Sequence, residues 1–187
     1  MIGHLRGTII GINEKTMLLE VGGVGYKISC PLSTLLGKAE GEACALYIHT
    51  HVREDIFALY GFENEIELEL FEKLRDVSGI GPKSALAMIS VHSPSTIADA
   101  IEKADVELLS HTPGIGKKTA EKIIIELKGK LSHLQSVGGA NEATFEVRLA
   151  LEALGYSSRE VHAVIGKLNT VGKDSSTLIK EALTLLK

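Results

Sequence analysis

One short pattern is written twice in this chain, and it constrains the fold more than any other stretch. The first copy is Val77-Ser78-Gly79-Ile80-Gly81-Pro82-Lys83-Ser84-Ala85; the second is Thr112-Pro113-Gly114-Ile115-Gly116-Lys117-Lys118-Thr119-Ala120. A constant offset of 35 positions relates Gly79 to Gly114, Gly81 to Gly116, Lys83 to Lys118 and Ser84 to Thr119. The same offset extends outward to Leu74 with Leu109 and Ile89 with Ile124. Apolar residues at helical spacing flank both copies, so each predicts helix, tight turn, helix.

The turn's chemistry follows from its residues. Glycine lacks a Cβ, so the backbone reaches positive φ and another surface can approach closely. Ile80 and Ile115, between the glycines, are placed to plug each turn into the core. The helix that follows starts with N–H groups free of intrahelical partners, which together with the helix dipole attract anions. Lys83, Lys117 and Lys118 put positive charge at the same points, Lys122 lies one turn further along, and Ser84 and Thr119 add hydroxyl donors. Such a set grips a backbone phosphate without reading a base. Two copies hold two phosphates of one duplex.

Other readings of these letters fail on spacing. A phosphate-binding P-loop needs Gly where His111 stands and Ser or Thr where Lys118 stands. The dinucleotide fingerprint needs a third glycine where Ser84 and Thr119 stand. A pair of ordinary helical corners with C-cap glycines accounts for one copy but not for two with matching lysines. As for enzymes built on such hairpins, a glycosylase needs a catalytic Asp shortly beyond one. Asp99 follows the first but sits in an amphipathic helix pattern, and the second has none before Asp174. No Asp/Glu/His cluster suggests a two-metal nuclease. His49 and His51, two apart on one strand face, lack a third ligand and are expected to be surface histidines. No catalytic, metal or cofactor site is expected.

The chain carries a net charge of −4 and a pI near 6.0, which excludes a generic basic DNA coater; binding must come from local charge geometry. Lys117, Lys118, Lys122, Lys128 and Lys130 provide it, while surplus acid gathers at Glu63, Glu65, Glu67 and Glu69. With no Trp and 4% aromatics, base-stacking platforms are poorly supplied. There is no apolar run long enough to span a membrane and no signal-like start, so the cytoplasm is the expected location. Cys30 and Cys44 lack CxxC spacing and are expected to be reduced and structural.

Residues 1–62 alternate apolar and polar positions between glycine turns and predict five short strands in a small barrel or sandwich. Ala45 to Val52 is one strand and Ile56 to Tyr60 its return, with Arg53, Glu54 and Asp55 as a polar hairpin tip. Residues 63–131 are expected to be helical, with Ala120, Ile123, Ile124 and Leu127 as the core stripe behind the second turn. Residues 132–141, with Ser136, Gly138 and Gly139, are the expected linker. Residues 142–187 predict three short helices, the second opened by a Ser157/Glu160 capping box. So small a bundle leaves apolar residues near its surface, and Leu151, Leu154, Tyr156 and Leu183 are candidates for docking a partner.

The repeated turn is the helix-hairpin-helix pattern of sequence-independent DNA-binding proteins, and the chain resembles the RuvA family over nearly its whole length. The resemblance rests on Met1-Ile2-Gly3-His4-Leu5-Arg6-Gly7, Val21-Gly22-Gly23-Val24-Gly25-Tyr26, Val52-Arg53-Glu54-Asp55, Leu59-Tyr60-Gly61-Phe62, both hairpins, and Ala153-Leu154-Gly155-Tyr156. Thr112 departs from it, standing where the family usually has leucine, and the linker is short for the family. The resemblance implies a multidomain α+β protein: an N-terminal OB-like barrel, a central all-α duplicated helix-hairpin-helix domain and a C-terminal three-helix bundle. It implies a non-catalytic subunit that binds four-way (Holliday) junctions and recruits and stimulates the RuvB ATPase for branch migration in recombination and repair. Glu54 and Asp55 become an acidic pin at the junction centre, and residues 142–187 the motor-docking domain. It also implies a homotetramer, with an octamer and the RuvC resolvase as further associations of the family.

Overall fold

The computed structural model describes residues 1–187 except 132, 133, 135–137, 157, 169, 171, 172 and 187. The alternating N-terminal stretch folds into β1 (His4–Ile12), β2 (Thr16–Val21), β3 (Val24–Ser29), β4 (Ala43–Val52) and β5 (Phe57–Phe62), with a short α1 (Leu32–Leu35) between β3 and β4. The strands close a barrel in the order β1-β2-β3-β5-β4. All neighbours are antiparallel except β3 and β5, giving the OB-like architecture. Gly22 and Gly23 turn β2 into β3 at φ 59° and 84°, the paired positive φ that a two-residue hairpin needs to match strand twist. Inward alternation buries Ile9, Met17, Leu19, Ile28 and Leu46 completely. The thiols Cys30 and Cys44 are free and buried in the same core. Burial pushes Cys30 up to about 12, which keeps it a protonated, unreactive thiol.

The returning strand runs to Phe62 rather than ending at Tyr60, and the reason is packing. Tyr60 and Phe62 leave the barrel core and enter the helical one. Their rings meet Phe71 at centroid distances of 5.1 and 4.9 Å, good aromatic contact geometry. The barrel and the helices are thus joined through shared core.

The helical region comprises α2 (Glu65–Asp76), α3 (Pro82–Val91), α4 (Pro94–Glu102), α5 (Val106–Ser110) and α6 (Lys117–Leu127). Their starts carry ordinary signals: Asn64, Ser93 and Asp105 accept from the N–H groups of Glu67, Thr96 and Leu108, and proline opens α3 and α4. Leu74, Met88, Ile97, Ile101, Leu109 and Ile123 are fully buried between them.

The C-terminal region forms α7 (Gly138–Ala153), α8 (Ser158–Ile165) and α9 (Ser175–Leu185). Val147, Leu151, Val161, Val164, Leu178 and Ala182 make its separate core. The expected Ser157/Glu160 capping box falls partly outside the described residues, as do 132, 133 and 135–137 of the expected linker. Of that linker, Leu134 is buried in the central core and α7 already begins at Gly138, so the stretch is anchored at one end and helical at the other.

Candidate nucleic-acid interface

The two repeated turns have the same hydrogen bonds at the same offset. In the first, Val77 N–H donates to the Leu74 carbonyl at 3.1 Å, Ile80 N–H to that of Val77 at 3.1 Å, and Ser84 and Ala85 N–H to that of Gly81, each at 3.1 Å. In the second, Thr112 donates to Leu109 at 3.3 Å, Ile115 to Thr112 at 3.0 Å, and Thr119 and Ala120 to Gly116, each at 2.9 Å. Gly79 and Gly114 take φ of 91° and 83°, where a Cβ is strained. Gly81 and Gly116 are the N-caps of α3 and α6, in extended conformations at φ −94° and −86°. Ile80 and Ile115 are buried as expected, 6% and 4% exposed. They aim the free N–H groups of each helix start outward, fewer in α3 because Pro82 has none.

The surface of these turns is open. A Cβ added at Gly79, Gly81 or Gly116 meets nothing within 4 Å. One at Gly114 meets the Ser84 hydroxyl at 3.4 Å, so the second turn lies directly against the helix start of the first. Lys83, Lys117, Lys118 and Lys122 are exposed around them, and among the described residues none pairs with a carboxylate. Thr119 is half-buried beside them. Uncommitted cations, helix N-termini and Cβ-free backbone therefore share one surface, and its chemistry suits two neighbouring phosphates.

Glu54 and Asp55 form the two-residue tip between β4 and β5, closed by Arg53 N–H to the Ile56 carbonyl at 2.8 Å. Both are exposed. Apolar side chains stand beside the tip: Val52 and Phe57 are 64% and 68% exposed.

Two expectations need correcting. His49 is not a surface histidine. Its side chain is 11% exposed, its ring lies 5.4 Å from that of Phe71, and its Nδ1 is 2.9 Å from Glu72 Oε1 while Arg75 Nη1 is 3.4 Å from its Nε2. It ties β4 to α2; the alternation of the strand could not show that a helix covers this part of the barrel. His51 is half-buried beside it, pushed below the ordinary histidine value by burial and then by Arg53, His49 and Arg75. Leu151 is fully buried in the C-terminal core, so it holds that bundle together and cannot meet a partner. Of the other docking candidates, Leu154 is 61% exposed, and Tyr156 and Leu183 are half-buried against the bundle core.

Sequence reading also missed Glu67. It counts as surplus surface acid by composition, yet its carboxyl is pushed up to about 7, chiefly by burial and then by Glu63. The available signal was its place three residues after the N-cap Asn64, where a glutamate folds back on the helix start. Its Oε2 does so, accepting from Glu63 N–H at 3.3 Å.

Comparison with known proteins agrees with this layout. The model of the RuvA N terminal domain matches residues 1–61, that of the SAM-like helix-hairpin-helix tandem residues 71–130, and that of the RuvA C-terminal domain residues 142–187. The Holliday junction branch migration complex subunit RuvA of Halalkalibacterium halodurans is 39% identical, covering 100% of this chain and 98% of the relative. The protein of the same description from Laribacter hongkongensis is 40% identical over the same shares. That of Escherichia coli O9:H4 is 39% identical over 98% of each. With full-length relatives at this identity and the paired hairpins in place, the chain belongs to the RuvA family.

Proposed function

We propose that the chain binds four-way DNA junctions through backbone phosphates, independently of sequence, and presents them to a partner ATPase for branch migration. One observation carries the reading: the 3.4 Å approach of the Ser84 hydroxyl to the Cβ position of Gly114, which makes two phosphate-gripping turns a single surface. Gly79, Gly81, Lys83 and Ser84 serve one phosphate site; Gly114, Gly116, Lys117, Lys118, Thr119 and Lys122 serve the other. Ile80 and Ile115 act from beneath. The division of labour is a barrel over 1–62, a duplex-gripping unit over 63–131, and a motor-docking bundle over 142–187 that meets RuvB. Glu54 and Asp55 form a pin that repels phosphates at the crossover, and the apolar residues flanking it support assembly of several copies around that point, a tetramer matching four arms. The chain supplies no chemistry of its own in this scheme and works in the cytoplasm.

The test is a gel shift comparing a four-way junction with a linear duplex of equal length, each in several base sequences. The junction should bind more tightly in all of them. Lys83→Ala and Lys118→Ala should weaken binding to every sequence alike and reduce the slope of log affinity against log salt by about 1 each. A loss confined to particular sequences would contradict phosphate gripping.

A further inference from the structure

A cleft of about 140 Å3 lies where the three regions of the chain meet. Ser33 reaches it from α1; Glu63, Asn64 and Glu67 from the start of α2; His92 and Ser93 from the α3–α4 corner; and Thr144 and Arg148 from α7. Arg148 Nη1 donates to the Ser33 carbonyl at 2.8 Å, a bond spanning 115 positions. The Ser33 hydroxyl and His92 Nε2 are buried there without a hydrogen-bond partner among the described residues. The wall is mixed, with Ile66, Ile89 and Leu134 beside the polar groups, and closing it over orphaned polar groups carries a cost that is relieved when water reaches them.

We propose that this cleft is a reversible seat for the C-terminal bundle on the core, held by Arg148 and governed by the protonation of Glu67. α7 contributes Thr144 and Arg148 to the same lining as Glu67, so seating it takes water from the Glu67 carboxyl, and a desolvated carboxyl favours its neutral form. Glu63 adds repulsion from the same loop, although it is itself paired with Lys38 at 2.9 Å. The Cys30 thiol faces from the barrel, held protonated. Arg148 attracts the ionised form, but it ranks last among the influences on Glu67, behind burial and Glu63. The sign follows: the seated state binds the Glu67 proton more tightly than the free state does. Seating is therefore strongest well below neutrality and is lost as pH rises through about 7. His92, pushed down by burial and by His111, works the other way, since charging it in the closed cleft opposes seating. The bundle is thereby balanced near neutral pH between a fixed and a tethered arrangement, with Leu154 exposed in the fixed one.

Double electron–electron resonance on the full chain tests this, with nitroxides at Lys73→Cys on α2 and Thr184→Cys on α9 and excess unlabelled chain to suppress distances between copies. The buried native thiols stay unlabelled. One narrow distance should dominate at about pH 5.5 and a broad distribution at about pH 8.5, the seated-to-free ratio changing about tenfold or more. Glu67→Gln, which keeps an acceptor for the Glu63 N–H, should give the narrow distance at both pH values. Arg148→Ala should give the broad one at both. A wild-type distribution that ignores pH, or a Glu67→Gln chain that still titrates, overturns the proposal; the latter would hand the switch to His92. Circular dichroism at both pH values shows that each variant is folded.

Discussion

At the scale of single residues, glycines of one motif divide into two kinds. Gly79 and Gly114 are required by the fold, since their φ values of 91° and 83° strain any side chain. Gly81 and Gly116 are not: their extended backbones accept alanine, and a Cβ there meets nothing within 4 Å. On the proposed phosphate reading, what a Cβ would meet is the phosphate. Gly81→Ala and Gly116→Ala should change stability by no more than about 1 kcal/mol, the reduced unfolded-state freedom being offset by alanine's poorer N-cap, while each weakens junction binding about tenfold or more by displacing a charge-assisted hydrogen bond. Chemical denaturation beside a gel shift separates the two effects, and a variant that binds normally would remove its glycine from the phosphate site. Thr112 shows the reverse. It is 2% exposed and its hydroxyl has no hydrogen-bond partner among the described residues, whereas its counterpart 35 positions earlier is the apolar, equally buried Val77. Thr112→Val keeps the shape and removes the orphaned group, so it should stabilise the chain by about 1 kcal/mol in urea unfolding with binding unchanged. A destabilised variant would mean that the hydroxyl is satisfied after all.

At the scale of elements, the β4–β5 hairpin is where a bland and a specific role differ most. As a plain turn, Glu54 and Asp55 are exchangeable for Asn. As a pin they repel converging phosphates, an interaction that acts over a few ångströms and is screened by salt. Glu54→Asn/Asp55→Asn should therefore tighten binding and lower the junction preference, measured as the ratio of duplex to junction Kd at fixed salt, by about tenfold at low salt. An unchanged ratio returns both residues to a turn. Much of this architecture was legible beforehand because it is local: the repeat set the two hairpins, period-two alternation set the strands, and Ser93, Pro94 and the glycine turns set their ends. What was not legible is long-range. Nothing in the alternation of β4 shows that α2 lies over His49, and nothing near Glu67 shows that Thr144 and Arg148 of α7 share its cleft from some 80 positions away. A helical stripe marks Leu151 and Leu154 alike as apolar, and only the packing of three helices decides that one is core and the other surface.

At the scale of the whole molecule, the chain is joined in two different ways. The barrel and the hairpin helices share aromatic core through Tyr60, Phe62 and Phe71, and His49 adds a polar tie. Turning one against the other would open that core, so tip and hairpins keep a fixed relation. The C-terminal bundle instead has its own core and meets the rest across a cleft of mixed lining. Its removal should therefore cost the remainder little. A chain ending at residue 141 keeps Leu134 in the central core, both hairpins and the tip, and it should bind a four-way junction within about twofold of the full chain, since no group of the proposed phosphate sites is lost. What it should lose is stimulation of the RuvB ATPase, because Leu154, Tyr156 and Leu183 go with the bundle. Leu154→Asp in the full chain is the finer version. Leu154 is 61% exposed, so the charge leaves the bundle folded, and an interface built on this residue is lost while junction affinity stays. ATPase rate and junction Kd are measured on the same preparations. If the truncated chain loses junction affinity, the bundle contributes to DNA binding and the division of labour is wrong. If truncation abolishes stimulation but Leu154→Asp does not, the docking surface lies elsewhere on the bundle, with the exposed Leu185 on α9 as the next residue to change.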